Sequence, residues 1–283
     1  MLRTLPISYV DVFASTPLKG NALAVIHDAD HLSDDLMAAI ARWTNLSETT
    51  FLCAPTSPAA DYKVRIFTTG GELPFAGHPT LGSAQAWLAA GGRPHSPDLV
   101  IQECGAGLVP VRRGERLAFA APPLRRSGPV EGDLRAKVLA VNGLAPEQVL
   151  DVAWIDNGPG WIGVELDSAA AVLDIVPDAT AYDGLKVTVL GRYAADEAAR
   201  VGRDVEVRAF YADGRDFAED PVTGSANAGL AQWLIGAGRL PDRYVAGQGQ
   251  VLQRDGRVHV ERIGDDIWIG GDVHGVVRGE ITI

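Results

Sequence analysis

Two titratable side chains stand directly before prolines in segments that resemble each other. Phe75-Ala76-Gly77-His78-Pro79-Thr80-Leu81-Gly82-Ser83-Ala84 recurs 142 positions later as Phe217-Ala218-Glu219-Asp220-Pro221-Val222-Thr223-Gly224-Ser225-Ala226. The match extends back through Val64-Arg65-Ile66-Phe67 and Val207-Arg208-Ala209-Phe210, and forward to Trp87-Leu88 and Trp233-Leu234. Proline fits the first turn of a helix because its missing N–H has no intrahelical acceptor there. Small residues follow each proline and leave the first-turn amides uncovered, so each start offers roughly half a positive charge to a carboxylate. Two such starts facing each other would bind an anion without a basic residue, with His78 and Asp220 as polar groups beside it.

These segments must be positioned by the surrounding elements. Two copies are too few for a solenoid and indicate a duplicated domain. Thr80–Ala90 and Val222–Gly238 contain no charged residue. A helix apolar on every face must be enclosed by protein. β-branched or alternating runs dominate the rest, among them Ile7–Phe13, Thr49–Cys53, Tyr62–Thr68, Asp204–Tyr211, Gln250–Gln253 and Val276–Ile281. Ser33 reads as the N-cap of a helix over Asp34–Trp43, with shorter helices over Leu134–Val141 and Ser168–Leu173. The expected architecture is α+β: two pseudo-symmetric domains, each a barrel-like curled sheet around one buried helix. The proline/glycine-rich stretch from Ala121 to Pro129 divides them. Residues 1–126 form the expected N-terminal domain and 127–283 the C-terminal one.

Composition narrows the chemistry. A net charge of −11 gives no basic face for nucleic acid. No apolar run reaches the roughly 18 residues of a membrane span, and the N-terminus lacks a signal-peptide stretch, so the chain reads as cytoplasmic. Cys53 and Cys104, the only cysteines, read as reduced and structural. His27 and His31 have i, i+4 spacing, but Asp28–Asp30 reads as a turn and the other histidines are scattered, so no metal site is expected. Gly158-Pro159-Gly160-Trp161-Ile162-Gly163 has the GxGxxG spacing but enters a strand pattern, which gives a dinucleotide phosphate no helix dipole.

Glu48, in Ser47-Glu48-Thr49-Thr50-Phe51, reads on its own as a strand-edge carboxylate, as most glutamates do. Together with Glu72–Thr80 and Glu219–Ala226, however, this segment resembles the three signature segments of the PhzF (phenazine biosynthesis protein-like) family, in the family's order over nearly the whole chain. The opening Val10-Asp11-Val12-Phe13 with Lys19-Gly20-Asn21 is similar too. Gln248-Gly249 resembles the family's Gln-Gly turn, whereas Gln253–Arg257 departs from the segment that often follows.

The resemblance implies a diaminopimelate epimerase-like fold, a site between the domains, a homodimer, and a cofactor-independent isomerase of a small anionic metabolite. It makes Glu48 the acid/base. His78 and Asp220 become positioning groups, and Gly77, Thr80, Thr223, Gly224 and Ser225 line the substrate. One carboxylate can shuttle a proton along one face of a substrate, whereas inverting a stereocentre calls for two bases on opposite faces. The His78/Asp220 pair can supply a second proton donor, so an epimerase or racemase of an amino-acid-like substrate stands as the alternative, followed by a non-catalytic metabolite-binding or protein-interaction member of the fold.

Overall fold

The computed structural model of the chain describes residues 2–213 and 216–283. These form two compact units, Met1–Ala120 with Gly270–Ile283, and Ala121–Ile269.

The first unit contains β1 (Thr4–Val12), β2 (Asn21–Ile26), α1 (Asp34–Thr44), β3 (Thr49–Cys53), β4 (Tyr62–Phe67), β5 (Glu72–Leu73), α2 (Gly77–Ala89), β6 (Leu99–Cys104), β7 (Gly107–Arg112) and β8 (Leu117–Ala120). The second contains β9 (Arg126–Pro129), α3 (Gly132–Val141), β10 (Val149–Asp156), β11 (Ile162–Leu166), α4 (Ala169–Leu173), β12 (Lys186–Arg192), α5 (Ala195–Val201), β13 (Val205–Asp213), β14 (Asp216–Asp220), α6 (Gly224–Gly236), β15 (Arg243–Gln248) and β16 (Gly256–Ile263). β17 (Asp266–Gly271) crosses the boundary, and β18 (Val273–Thr282) returns to the first unit.

The pairing order repeats strand for strand. β1 lies between β2 and β18, antiparallel to both, and β2 runs parallel to β3. β4 bonds β3 and β5 antiparallel and β6 parallel. In the second unit β10 lies between β11 and β9, and β11 runs parallel to β12. β13 bonds β12 and β14 antiparallel and β15 parallel. α2 packs against β1, β2, β3, β6, β7, β8 and β18, and α6 against β10, β11 and β16. Each unit is thus a curled sheet around a chargeless helix.

The buried helices need small residues at their closest approaches. A Cβ on Gly82 would lie 2.5 Å from Leu23 Cδ2, and one on Gly229 would lie 2.5 Å from the Ile155 carbonyl oxygen. α1, by contrast, is amphipathic: Met37, Ile40 and Ala41 pack with Ile26, Phe51 and Phe67. The Ser33 Oγ caps it by accepting the Leu36 N–H at 3.3 Å.

Three sequence expectations require correction. The tail does not belong to the C-terminal unit, because β18 pairs with β1 along Thr4–Val12. Hydropathy marks a strand there but not its partner. Gln250–Gln253 is not a strand: Gln250–Leu252 forms a 3-10 turn between residues of positive φ, Gly249 and Gln253.

The third correction concerns the repeat itself. α2 begins at Gly77 and α6 at Gly224, a separation of 147 rather than 142. This register brings Gly82 onto Gly229, Gln85 onto Gln232, and Gly91 (φ 98°) onto Gly238 (φ 68°). It also makes Pro74, not Pro79, the counterpart of Pro221. The turn glycines agree, since a Cβ on Gly105 would strike Pro74 and one on Gly249 would strike Pro221. Pro221 therefore precedes its helix by three residues, and Pro79 sits third in its own.

Candidate functional site

Glu48 follows the end of α1 and immediately precedes β3. Asn45 ends the helix in a left-handed conformation (φ 54°), donating its N–H to the Ala41 carbonyl. A 2.6 Å hydrogen bond between the Thr44 and Thr49 hydroxyls then ties the helix end to the strand start. His78 is the second residue of α2. A 2.9 Å bond from the Ser83 hydroxyl to that of Thr50 pins α2 onto β3. Those two ties bring Glu48 Oε2 to 3.5 Å from His78 Nδ1.

The Glu48 side chain is 15 % exposed and that of His78 4 %. Burial pushes the imidazole down to about 3, so it is neutral at neutral pH. The contact is therefore a carboxyl group beside a neutral ring and not an ion pair, despite the separation. Neutral imidazole keeps one donor and one acceptor nitrogen, and His78 Nε2 has no hydrogen-bond partner among the described residues.

This burial has a measurable consequence. Unfolded, the ring titrates near 6.5, so between about pH 6.5 and 3 the unfolded chain binds a proton that the folded chain does not. The contribution of His78 to stability is present above pH 6.5 and is lost as pH falls toward 3. Chemical unfolding of the wild type and His78→Gln at pH 7 and pH 4 should show the stability gap shifting in favour of the variant on acidification, by up to roughly 3 kcal/mol. A gap independent of pH would mean the ring takes up its proton equally readily folded and unfolded, so that burial does not perturb it.

The other positions in the first unit divide. Gly77 heads α2, which has no acidic residue in its first turn and no side-chain cap. Its amide has no intrahelical acceptor. Thr80 is fully buried. Its hydroxyl donates to the Ala76 carbonyl at 2.9 Å and accepts from Gln102 Nε2 at 3.0 Å, while Gln102 Oε1 accepts the Tyr62 hydroxyl at 2.9 Å. Thr80 thereby seats the helix start and offers no polar group outward.

In the second unit the structure brings Asp220, Thr223, Gly224 and Ser225 together where β14 runs into α6. The Thr223 hydroxyl donates to Asp220 Oδ2 at 2.7 Å. Ser225 Oγ accepts the indole N–H of Trp161 at 2.9 Å, and its carbonyl accepts from Asn157 Nδ2 at 2.9 Å. An indole can only donate, so the serine hydroxyl proton is not used in this bond.

Sequence reading missed Trp161, Asn157 and Gln248 as builders of this region. Asn157 immediately precedes the GxGxxG spacing and Trp161 lies within it, and the Gly158 and Gly160 amides are both taken by Asp156 Oδ1 at 2.7 Å. Gln248 was noted only as part of a turn. The cysteines are excluded as nucleophiles: burial pushes Cys53 up to about 11 and raises Cys104 as well.

The corrected register removes the symmetry of the candidate site's titratable groups. The ladders Thr49↔Phe67 and Val187↔Phe210 make Lys186 the counterpart of Glu48. Ser225 answers His78, and Leu73 answers Asp220, since Ile66 pairs Leu73 as Ala209 pairs Asp220.

Comparison with known proteins adds an independent line. Residues 10–268 match the family described as phenazine biosynthesis-like protein. Antisense-enhancing sequence 1 of Schizosaccharomyces pombe is 33% identical over 297 residues, covering 97% of each chain. The trans-2,3-dihydro-3-hydroxyanthranilate isomerase of Pseudomonas aeruginosa is 35% identical over 235 residues, covering 82% of this chain and 80% of that one. A PhzF-family crystal structure from Enterococcus faecalis superposes with a TM-score of 0.79 at 26% identity, over 99% of both chains.

Proposed function

We propose, for a chain that belongs to the phenazine biosynthesis-like protein family and is an isomerase, that Glu48 carries a proton between two carbons of one small carboxylate-bearing metabolite. The carboxylate of Glu48 removes a proton from an activated carbon, and the electron pair left behind spreads into the adjoining unsaturated system. The resulting carboxylic acid, whose proton exchanges with solvent, returns a proton to another carbon on the same face. Atoms and charge balance with Glu48 alone, so this step requires no cofactor.

The observation that carries this reading is Glu48 standing 15 % exposed beside neutral His78. A carboxyl group held beside a neutral imidazole can take a proton without first breaking an ion pair. His78, Asp220 and the Ser225 hydroxyl would hydrogen-bond the substrate. The amides at Gly77 and Gly224 would face the negative charge that develops as the proton leaves.

The asymmetry of the two units favours isomerisation over epimerisation. Inversion needs an acid and a base of matched strength on opposite faces, and the duplicated scaffold does not repeat the carboxylate. Lys186 at the Glu48 counterpart position is what keeps the epimerase reading alive, because a lysine can also carry a proton. Incubating the protein with trans-2,3-dihydro-3-hydroxyanthranilate in heavy water tests both. The expected result is a shifted double bond with at most one solvent deuterium on the receiving carbon. An inverted centre with deuterium at the original carbon would move the assignment to an epimerase. A double bond left in place with no exchange on this compound, and no exchange on a panel of amino acids, would refute proton transfer.

A further inference from the structure

Gln248 is fully buried, and both ends of its amide are used. Its Oε1 accepts the Thr223 backbone N–H at 3.0 Å and Asn227 Nδ2–H at 2.9 Å. Its Nε2 donates to the Thr223 hydroxyl oxygen at 2.9 Å and to the Asp220 carbonyl at 3.1 Å. The orientation of this amide is forced, because a backbone N–H can only donate and the atom facing it must be the oxygen. Nitrogen therefore faces the Thr223 hydroxyl, which must accept. A hydroxyl has a single proton, and that of Thr223 is consequently given to Asp220 Oδ2, 2.7 Å away.

The polarity of the chain thus runs one way, from Gln248 through Thr223 to Asp220. A neighbour that can only donate holds the carboxyl oxygen it faces as an acceptor and fixes the rotamer of the group. The first unit contains a similar buried chain, Tyr62 to Gln102 to Thr80, but it ends on the Ala76 backbone carbonyl. There the device seats a helix. In the second unit it terminates on a candidate site residue.

We propose that Gln248 is a positioning residue that, through Thr223, holds Asp220 as an acceptor for a donor group on the substrate. The substrate would then carry an amino or hydroxyl group in addition to its carboxylate. Gly249 supports the arrangement. It holds φ 87° directly after Gln248, and a Cβ there would lie 2.5 Å from the Pro221 carbonyl oxygen. Only glycine lets the turn approach the segment joining Asp220 to Thr223 so closely. The proposal rests on Asp220 acting on the substrate as described above.

Three variants test it. Gln248→Glu keeps the oxygen acceptor and, ionised, cannot donate, so the Thr223 hydroxyl is drawn away from Asp220. Thr223→Val removes the hydroxyl at constant shape, and Thr223→Ser restores it. Solvent-deuterium incorporation into trans-2,3-dihydro-3-hydroxyanthranilate is the kinetic readout, and crystal structures locate the Asp220 carboxyl group. Gln248→Glu and Thr223→Val should each lower kcat/KM about 10- to 100-fold, with Thr223→Ser within about threefold of wild type. The Asp220 carboxyl group should be displaced in the first two while the start of α6 stays in place.

An unmoved carboxyl group with intact activity in Thr223→Val overturns the proposal. So does a serine variant as impaired as the valine one, which would mark a packing role. If the wild type exchanges no hydrogen of this compound, the functional reading fails separately. The crystallographic arm then decides alone: a displaced carboxyl group supports the relay and an undisplaced one overturns it.

Discussion

Glu48→Gln is expected to reduce solvent-deuterium incorporation by about 10³-fold, the range lost when a positioned general base is removed. The substitution preserves shape while replacing the carboxylate with a neutral amide that cannot take up a proton. Because Glu48 lies in a loop tied by the Thr44–Thr49 and Ser83–Thr50 hydroxyl bonds, none of which involves its own side chain, the fold should survive. The melting temperature is therefore expected to stay within a few degrees of wild type. Glu48→Asp retains the carboxyl group but withdraws it by a methylene. A displacement of about 1 Å costs on the order of 10² in rate when geometry is what the site supplies. The order wild type, Asp, Gln in falling activity is thus expected. A Gln variant with undiminished exchange would remove Glu48 from the chemistry and return it to the role of strand-edge carboxylate.

Glu219→Gln is expected to destabilise the protein by about 3–5 kcal/mol, the cost of leaving a buried guanidinium without its counter-charge. Arg208 and Glu219 are 3% and 9% exposed and meet through two bonds, Nε to Oε1 at 2.9 Å and Nη2 to Oε2 at 2.8 Å. Arg208 also donates to the Ile175 carbonyl at 2.7 Å, just after α4, and lies over the Phe210 ring at 4.8 Å. The first unit holds the same device. Arg65 bonds Glu72 through Nε at 2.8 Å and Nη2 at 2.7 Å and lies 5.1 Å over Phe67. There, however, the side chains are 22% and 41% exposed. Water can replace the missing partner, so Glu72→Gln should cost no more than about 1 kcal/mol. Urea unfolding of the two variants checks the contrast. Equal losses would show that burial does not govern the pair. Since Glu219 adjoins Asp220 in β14, its replacement should also impair catalysis, and that of Glu72 far less.

Family membership and the α+β architecture were legible because they rest on local signals. Three ordered motifs, the Ser33 cap and the bounds Thr49–Cys53 lie within short stretches, as does the lack of charge along α2 and α6. A helix without a polar face declares its enclosure whatever surrounds it. Among the described residues no helix is long and apolar enough to cross a membrane.

The register of the duplication was not legible. Matching Pro79 to Pro221 maximises letter identity, but Pro74 is what meets its turn glycine as Pro221 does. That difference of five residues pairs His78 with Ser225 in place of Asp220, and with it the chemistry loses its symmetry. Thr80 and Thr223 illustrate the same limit. Both sit in the matched segments, yet one hydroxyl is spent on a backbone carbonyl and the other on a carboxylate.

The chain alone therefore determined which residues are candidates and what kind of fold encloses them, because composition and motif spacing are properties of contiguous sequence. Only tertiary structure decided that His78 is neutral, that Gln248 sets the direction of the Thr223 hydroxyl, and that the last strand completes the first unit. Burial, hydrogen-bond direction and strand partnership each depend on residues distant in sequence, and no local pattern encodes them.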